Sequence, residues 1–445
     1  MNGWLSRRFR RRLAEFLLCR TIPTAPARAR LAPWLVPGRL DGCRVSVIIP
    51  VNNGMADGQI GRLLDSLQGQ THRNLELIAV DSGSRDGTPE YLRQRGVRVL
   101  SIAPEEFRHD RSRNLGAQAA AGDFLLFTVA DAVFDDPDWL RLGLAHMNVW
   151  RADSFCSPQH CAAAAGLQAR ALAFRHLAAL QRVPGVQRFG AAGRPRLTRI
   201  GYAIAPPPLR QRMIHVDDTN HLVRRAAFTR IGFRLPTCED MGFGHDLIRG
   251  GGVFLFSSLT HITHSHRYDD PVRFFRRCAA DYQVQFRLIG APGRADQAWD
   301  RRYCALLRLA GALPGPLAAG TAIPLATCFE RVERLEGALV AAATAAPAAW
   351  MVRLCETLGL PPDVPEAARV SPDLLRRLAG GLIASLRGGL RTLAAMGMTR
   401  VDAAEAAAFL RLQALNYVAC ELAGRLPHAA AQSEPARAFR ALAWE

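Results

Sequence analysis

The chain has 445 residues and a mass of 48.7 kDa, enough for more than one domain with a sizeable core, so a peptide or a disulfide-held mini-protein is excluded. Hydrophobic residues make up 49% and charged residues 22%, the balance of a soluble globular chain, which disfavours disorder throughout and a multi-spanning membrane protein. The formal charge of +18 is carried by arginine alone in an alanine-rich chain without lysine, a compositional bias that does not by itself call for nucleic acid.

The charge is uneven: residues 1–40 hold nine arginines against Glu15. There, Trp4, Leu5, Phe9, Leu13, Phe16 and Leu17 recur at helical spacing with Arg7, Arg8, Arg10, Arg11 and Arg12 between them, a basic amphipathic helix. Glu15 interrupts the apolar run that a secretory leader needs. The helix either lies on an anionic membrane surface or packs on the protein body. A Pro- and Ala-rich linker follows from Thr21 to Leu40, so residues 1–40 read as a separate segment. The ten cysteines contain no C-x-x-C and no paired zinc spacing, and read as reduced, mostly buried thiols of a cytosolic protein.

From Arg44 the pattern alternates between strand and helix. Strands are predicted at Val45–Ile49, Leu75–Val80, Val97–Ser101 and Asp123–Val129, with helices at Ile60–Leu67 and Asn114–Ala121. Such alternation builds a parallel sheet whose binding crevice lies beyond the strand carboxyl ends. Asp81, followed by Ser82 and Gly83, stands at such an end, where a carboxylate can accept hydrogen bonds from a base or ribose; the competing reading, a cap on the next helix, suits Asp86 and Thr88 better. Arg113 and Asn114 open a helix, and a helix start with a guanidinium suits a diphosphate; the alternative for Arg113 is an ion pair with Asp or Glu. Asp131, between Ala130 and Ala132, leaves room for a hydrated divalent cation.

In order, IIPVNNG, QTHRNLELIAVDSGSRDGT and RNLGAQAAAGDFLLFTVADA resemble the elements of inverting family 2 glycosyltransferases of GT-A fold. EFRHDRSRN and Val129-Ala130-Asp131-Ala132 resemble the "EFNHGxTRN" and "TQDA" of the bacterial rhamnosyltransferase-like branch, with Asp110 where Gly is usual and Asn52 where Tyr is usual. The resemblance covers Val45 to Phe286 and implies an α/β fold, a mixed, mostly parallel GT-A sheet sandwiched by helices, with a catalytic domain over residues 41–300. It implies donor-nucleotide contacts from Pro50, Val51, Asn52, Asp81, Ser82, Gly83, Arg113, Asn114 and Ala130, and a Mg²⁺ or Mn²⁺ held by Asp131 and His264, the latter in HITHSHRYDDP. A zinc site from His261, His264 and His266 is the alternative, weakened by the lack of Cys pairs. Thr237-Cys238-Glu239-Asp240 resembles the pair that supplies the catalytic base, giving Asp240 as base and Glu239 as its neighbour. Gln159, Asn220, Arg224 and Arg225, with Asp217 and Asp218, are implied to line the sugar and acceptor pockets, a structural role being the alternative for Arg224 or Arg225.

Residues 301–445 read as an Ala/Leu-rich helical domain, with a stripe at Leu375, Leu378, Leu382, Leu386, Leu390 and Leu393 and a second helix over Val401–Leu422. Leu309–Phe329 is uncharged and of spanning length, but Pro314, Pro316 and Pro324 argue against a membrane helix. The expectation is an enzyme that moves a sugar from a nucleotide-diphosphate donor to a bacterial surface-glycan or lipid-linked acceptor, in the cytoplasm at the inner face of the membrane, with no nucleic acid bound and self-association open. The competing classes are a non-catalytic sugar- or nucleotide-binding scaffold and an Arg-rich nucleic-acid binder. Neither accounts for Asp81, Asp131, Asp240 and His264 falling in this order.

Overall fold

The computed structural model describes residues 7–55, 58–162, 165–180, 184–264, 271–290, 320–345 and 372–423. It divides into two compact units: residues 1–164 with 176–265, and residues 165–175 with 266–445.

The first unit is built on a nine-stranded sheet. In chain order the strands are β1 (Cys19–Pro23), β2 (Val45–Val51), β3 (Leu75–Asp81), β4 (Arg98–Ser101), β5 (Phe124–Thr128), β6 (Ser154–Cys156), β8 (Gly185–Phe189), β9 (Asn220–Arg224) and β10 (Phe254–Ser257), while β7 (Gln159–His160) and β11 (Ile262–Thr263) form a small parallel pair apart from it. The spatial order is β1-β8-β10-β6-β9-β5-β2-β3-β4. This is the mixed, helix-flanked α/β arrangement that the resemblance implies. Parallel pairing is concentrated in β5-β2-β3-β4, and β9 runs antiparallel between β5 and β6.

Strand β2 is buried on both faces, as a central parallel strand should be. Val45, Val47 and Ile49 join the core that includes Ile60, Leu63, Leu64 and Leu67 of α3 (Gln59–Gln68, following α1 Arg7–Leu18 and α2 Thr24–Leu31). The opposite face takes α5 (His109–Ala119, after α4 Thr88–Gln94) at Gly116, where a Cβ would fall 2.5 Å from Ile48 Cγ2. Only glycine lets that helix come so close.

Two boundaries differ from the sequence expectation. The supposed linker at residues 21–40 is folded: β1 pairs antiparallel with β8, and α2 follows it directly. Residues 1–40 are therefore not a separate segment, because backbone hydrogen bonds make β1 an edge of the sheet. The second unit begins at residue 266 and takes in 165–175, where a break at 301 was expected. That unit is helical, with helices Pro271–Ile289, Leu325–Ala345, Pro372–Ala395 and Ala403–Ala423. The leucine stripe from Leu375 to Leu393 is buried in its core as the 3.6-residue period requires. Leu309 to Ala319, and Trp4 and Leu5 of the expected first helix, lie outside the described residues. No helix among the described residues is long and apolar enough to cross a membrane.

Candidate functional site

The carboxyl ends of β3, β2 and β5 lie side by side, Asp81 facing Val51 in register. Asn52 donates to the Ser82 carbonyl at 2.8 Å, the Ser82 amide donates to the Val51 carbonyl at 3.0 Å, and Gly83 turns with φ +81°. The buried Asp81 carboxylate accepts the amides of Gly83 at 3.2 Å and Ser84 at 3.3 Å, so it shapes this turn and does not cap a helix. The cap belongs to Asp86, which accepts from the Thr88 amide and hydroxyl; burial pushes its carboxyl up, but these bonds and the Met55 amide together hold it below the usual range.

Beyond β5, a backbone device brings distant residues together. β7 pairs with β11, the His264 amide donates to the His160 carbonyl at 2.9 Å, and Val133 and Thr263 exchange both backbone bonds. Asp131, Gln159 and His264 are thereby fixed in one neighbourhood. His264 Nε2 lies 3.4 Å from Asp131 Oδ1, with the imidazole 2% and the carboxylate 36% exposed. His264 Nδ1 is 2.8 Å from Gln159 Oε1, and Gln159 Nε2 donates to Asp217 Oδ2. One carboxylate oxygen and one imidazole nitrogen at that separation fit neighbouring ligands on an octahedral Mg²⁺ or Mn²⁺, whose cis edge is about 3 Å for bonds of about 2.1 Å. His160 and His261 stack on one another at 4.0 Å.

An acidic cluster lies at the other end of this chain of contacts. Ligand atoms of Asp217, Asp218 and Asp240 all lie within 4.8 Å of one another. Glu239 and Asp240 open the helix Glu239–Arg249 after Cys238, whose φ of 48° is unusual for a residue with a Cβ and turns the chain so that both carboxyls enter the cluster. Arg113 of α5 answers this charge. Its guanidinium is 4% exposed and pairs with Asp218 at 2.7 Å and Glu239 at 3.0 Å. Burial pushes the Asp218 carboxyl up, but the Arg113 cation, the hydrogen bond with Glu239 and the nearby His109 and His221 together hold the group below its ordinary value. Burial, then the charge of Asp218, drives Glu239 well above the carboxylate range, and the two share a hydrogen bond. Burial and the charges of Asp218 and Asp217 likewise drive Asp240 up. Such a carboxyl, once ionised, is a stronger base than a solvated one and suited to accepting a hydroxyl proton.

Several expected site residues fall elsewhere. Arg113 was expected at a diphosphate; it is committed to the acidic cluster because two carboxylates on β9's leading segment and the helix at 239 close over it. Both amide atoms of Asn114 are taken by the Phe233 backbone, at 2.7 and 3.0 Å, which braces α5. Asn220 similarly holds the Ser157 backbone, at 2.7 and 3.1 Å. For Arg224 and Arg225 the structure favours the structural reading over the ligand one. In the antiparallel register Arg224 faces Phe124 whereas Asn220 faces Thr128, so the arginines sit four residues, roughly 13 Å, from the carboxyl end of β5. Arg224 instead ties down the carbonyls of Ala152 and Met147. Sequence reasoning gave no role to His176, whose Nδ1 is 3.9 Å from Asp217 and which no pattern marks, or to His109, 4.0 Å from Glu239, although His109 is the histidine of the EFRHDRSRN element. The Asp217-Asp218 pair just before β9 was the readable signal for the rest of the cluster.

Residues 46–232 match the family model described as glycosyl transferase family 2. The O-antigen chain rhamnosyltransferase WbaN of Salmonella anatum is 23% identical over 238 residues, 52% of this chain and 69% of that protein. RfbN of Salmonella typhimurium, also an O-antigen chain rhamnosyltransferase, is 22% identical over 266 residues, 56% of this chain and 78% of its own length. Among solved structures, the mannosyltransferase PcManGT from Pyrobaculum calidifontis, in complex with GDP-Man and Mn²⁺, aligns with a TM-score of 0.44 at 17% identity, covering 87% of this chain and 92% of that one.

Proposed function

Starting from a chain that carries a family 2 glycosyltransferase domain and is a nucleotide-sugar glycosyltransferase, we propose that it transfers its sugar with inversion to a hydroxyl of a bacterial surface glycan or its lipid-linked precursor. The observation that carries this reading is the raised Asp240 carboxyl beside an acidic cluster tied, through Gln159, to the Asp131–His264 pair.

In the transfer, Asp240 takes the proton of the acceptor hydroxyl, whose oxygen forms the new bond to the anomeric carbon. The bond from that carbon to the diphosphate oxygen breaks, and the electron pair leaves with the nucleoside diphosphate. Attack and departure on opposite faces give inversion. Arg113 keeps Asp218 ionised, and Asp218 in turn keeps Asp240 basic. Asp131 and His264 would hold a divalent cation, which supplies Lewis-acid stabilisation of the leaving diphosphate when bound. The nucleoside would bind at the turn formed by Asn52 and Asp81–Gly83, beyond the carboxyl ends of β2 and β3. Rhamnose is the first donor sugar to try, since the two relatives above are named rhamnosyltransferases.

We assign the helix α1 to the membrane face. It packs inward through Ala14 and Leu18 and leaves Phe9 49% and Phe16 66% exposed among arginines. That combination suits an anionic bilayer on which lipid-linked acceptors are presented.

The test is a donor screen with purified protein and Mn²⁺, reading nucleotide release with and without a glycan acceptor and the anomeric configuration of the product. Release that depends on acceptor and gives the inverted anomer supports the reading. Retention of configuration, or binding without turnover for every donor, overturns it.

A further inference from the structure

The contact chain from Asp217 to Asp131 fixes more than position. Asp217 interacts with Gln159 through a carboxylate oxygen, which can only accept, so the Gln159 amide must turn its NH₂ toward Asp217. Its Oε1 is then the atom facing His264, at 2.8 Å from Nδ1. A carbonyl oxygen cannot donate, so the ring presents a proton to it from Nδ1. Nε2 faces the Asp131 carboxylate at 3.4 Å, and with Nδ1 protonated it is the nitrogen whose lone pair a cation between the two would take. Backbone pairing of β7 with β11 holds the two ends of this relay, because Gln159 lies in β7 and His264 follows β11 directly.

We propose that Gln159 is a positioning residue that reads the charge of Asp217 and sets the tautomer of His264 so that Nε2 is the metal-binding nitrogen. The relay rests on the reading that Asp131 and His264 hold the cation. It also gives a directional link between the acidic cluster around Asp240 and the cation end of the site, a link that passes through one amide. A glutamine serves here because it alone of the amide and carboxylate side chains of its length offers a donor to Asp217 and an acceptor to His264 at once. The role differs from the sugar or acceptor contact expected for Gln159, since both ends of its amide are already engaged within the protein.

The experiment compares the full-length wild type with Gln159→Met and Gln159→Glu. Two measurements are made: Mn²⁺ affinity by titration, and the protonation of the His264 ring nitrogens in metal-free protein by ¹⁵N NMR. In the wild type the signal should show a proton on Nδ1. Gln159→Met keeps the length but removes the acceptor, so the tautomers should mix and Mn²⁺ affinity should fall about tenfold or more, the usual cost of losing the partner that orients a ligating histidine. Gln159→Glu keeps an acceptor for Nδ1–H but loses the donor to Asp217, so it should keep the Nδ1–H proton and hold Mn²⁺ more tightly than the methionine variant, without exceeding the wild type. A methionine variant with wild-type Mn²⁺ affinity, or with weakened affinity but an unchanged tautomer, overturns the relay. Wild-type protein that binds no Mn²⁺ but shows the Nδ1–H tautomer overturns the cation reading and leaves the relay standing, so the two failures are distinct.

Discussion

Arg113 Nη1 and Glu239 Oε1 meet at 3.0 Å inside the protein, joining residues 126 positions apart in the chain. The same guanidinium reaches Asp218 at 2.7 Å, so one cation compensates two carboxylates and lies within electrostatic reach of Asp240 and Asp217. Removing it leaves buried negative charge unpaired. Arg113→Leu should therefore lower unfolding stability by about 3–5 kcal/mol, read from urea denaturation, whereas Glu239→Gln should cost clearly less because a neutral amide remains. Equal losses would show that the pair matters only through packing.

Asp240 carries the chemistry in the proposed transfer. Asp240→Asn keeps the shape and removes the base, so turnover should fall by roughly 100-fold or more with donor affinity nearly intact. Because burial and the charges of Asp218 and Asp217 raise this carboxyl, the wild-type rate should decline as pH falls, with its acid limb centred above the ordinary carboxylate value of about 4. An acid limb at or below that value would move the base to another group.

The sequence made the sheet legible because β2, β3 and β5 are short apolar runs bounded by polar turns, and the order of Asp81, Asp131, Asp240 and His264 carried the site. What it did not carry was pairing. Nothing local to Arg113 says that its partners lie 105 and 126 residues downstream, so a helix-start arginine reads as a diphosphate ligand. Arg224 and Arg225 read as ligands because a strand's two ends look alike in one dimension; only the antiparallel register with β5 shows that they sit at the wrong end. Residues 21–40 read as linker because β1 is five residues long and borrows its hydrogen bonds from β8, more than 160 positions away.

His146 gives a stability prediction away from the site. It is fully buried on α6 (Trp139–Val149), its ring tilted against Trp150 and Phe155, with Nδ1 held to the Leu142 carbonyl at 2.6 Å. Burial lowers it from the ordinary 6.5 to about 4. The unfolded chain takes up this proton near pH 6.5 while the folded protein refuses it until about pH 4. The stabilising contribution is thus whole above 6.5 and lost between 6.5 and 4, at about 1.4 kcal/mol per pH unit. His146→Phe keeps the ring contacts and removes the proton. Between pH 7.5 and 5 the wild type should lose about 2 kcal/mol more than the variant, measured by urea midpoints at the two pH values. Parallel losses would mean that His146 is not held neutral.

The membrane assignment has to be tested without unfolding the sheet. Deleting the first twenty residues would remove Ala14 and Leu18, both fully buried, and the first two residues of β1, so a loss of binding after such a deletion would say little. Leu18 in particular sits where a Cβ on Gly201 would fall 2.6 Å from its Cγ, a close fit between α1 and the helix Pro195–Ile204. Phe9 and Phe16 are different: they lie seven residues apart, two turns along one face of α1, and both are exposed. Their replacement by serine leaves the inward face of the helix intact while removing most of the apolar area that can enter the lipid. The arginines beside them supply the attraction to anionic headgroups, which salt screens. Phe9→Ser with Phe16→Ser should accordingly abolish sedimentation with anionic vesicles at low salt, leave thermal unfolding within a few degrees of the wild type, and preserve turnover on a short soluble acceptor. Wild-type protein that stays in the supernatant with such vesicles would remove the membrane from the reading and leave α1 as a helix whose role is to cover the edge of the sheet.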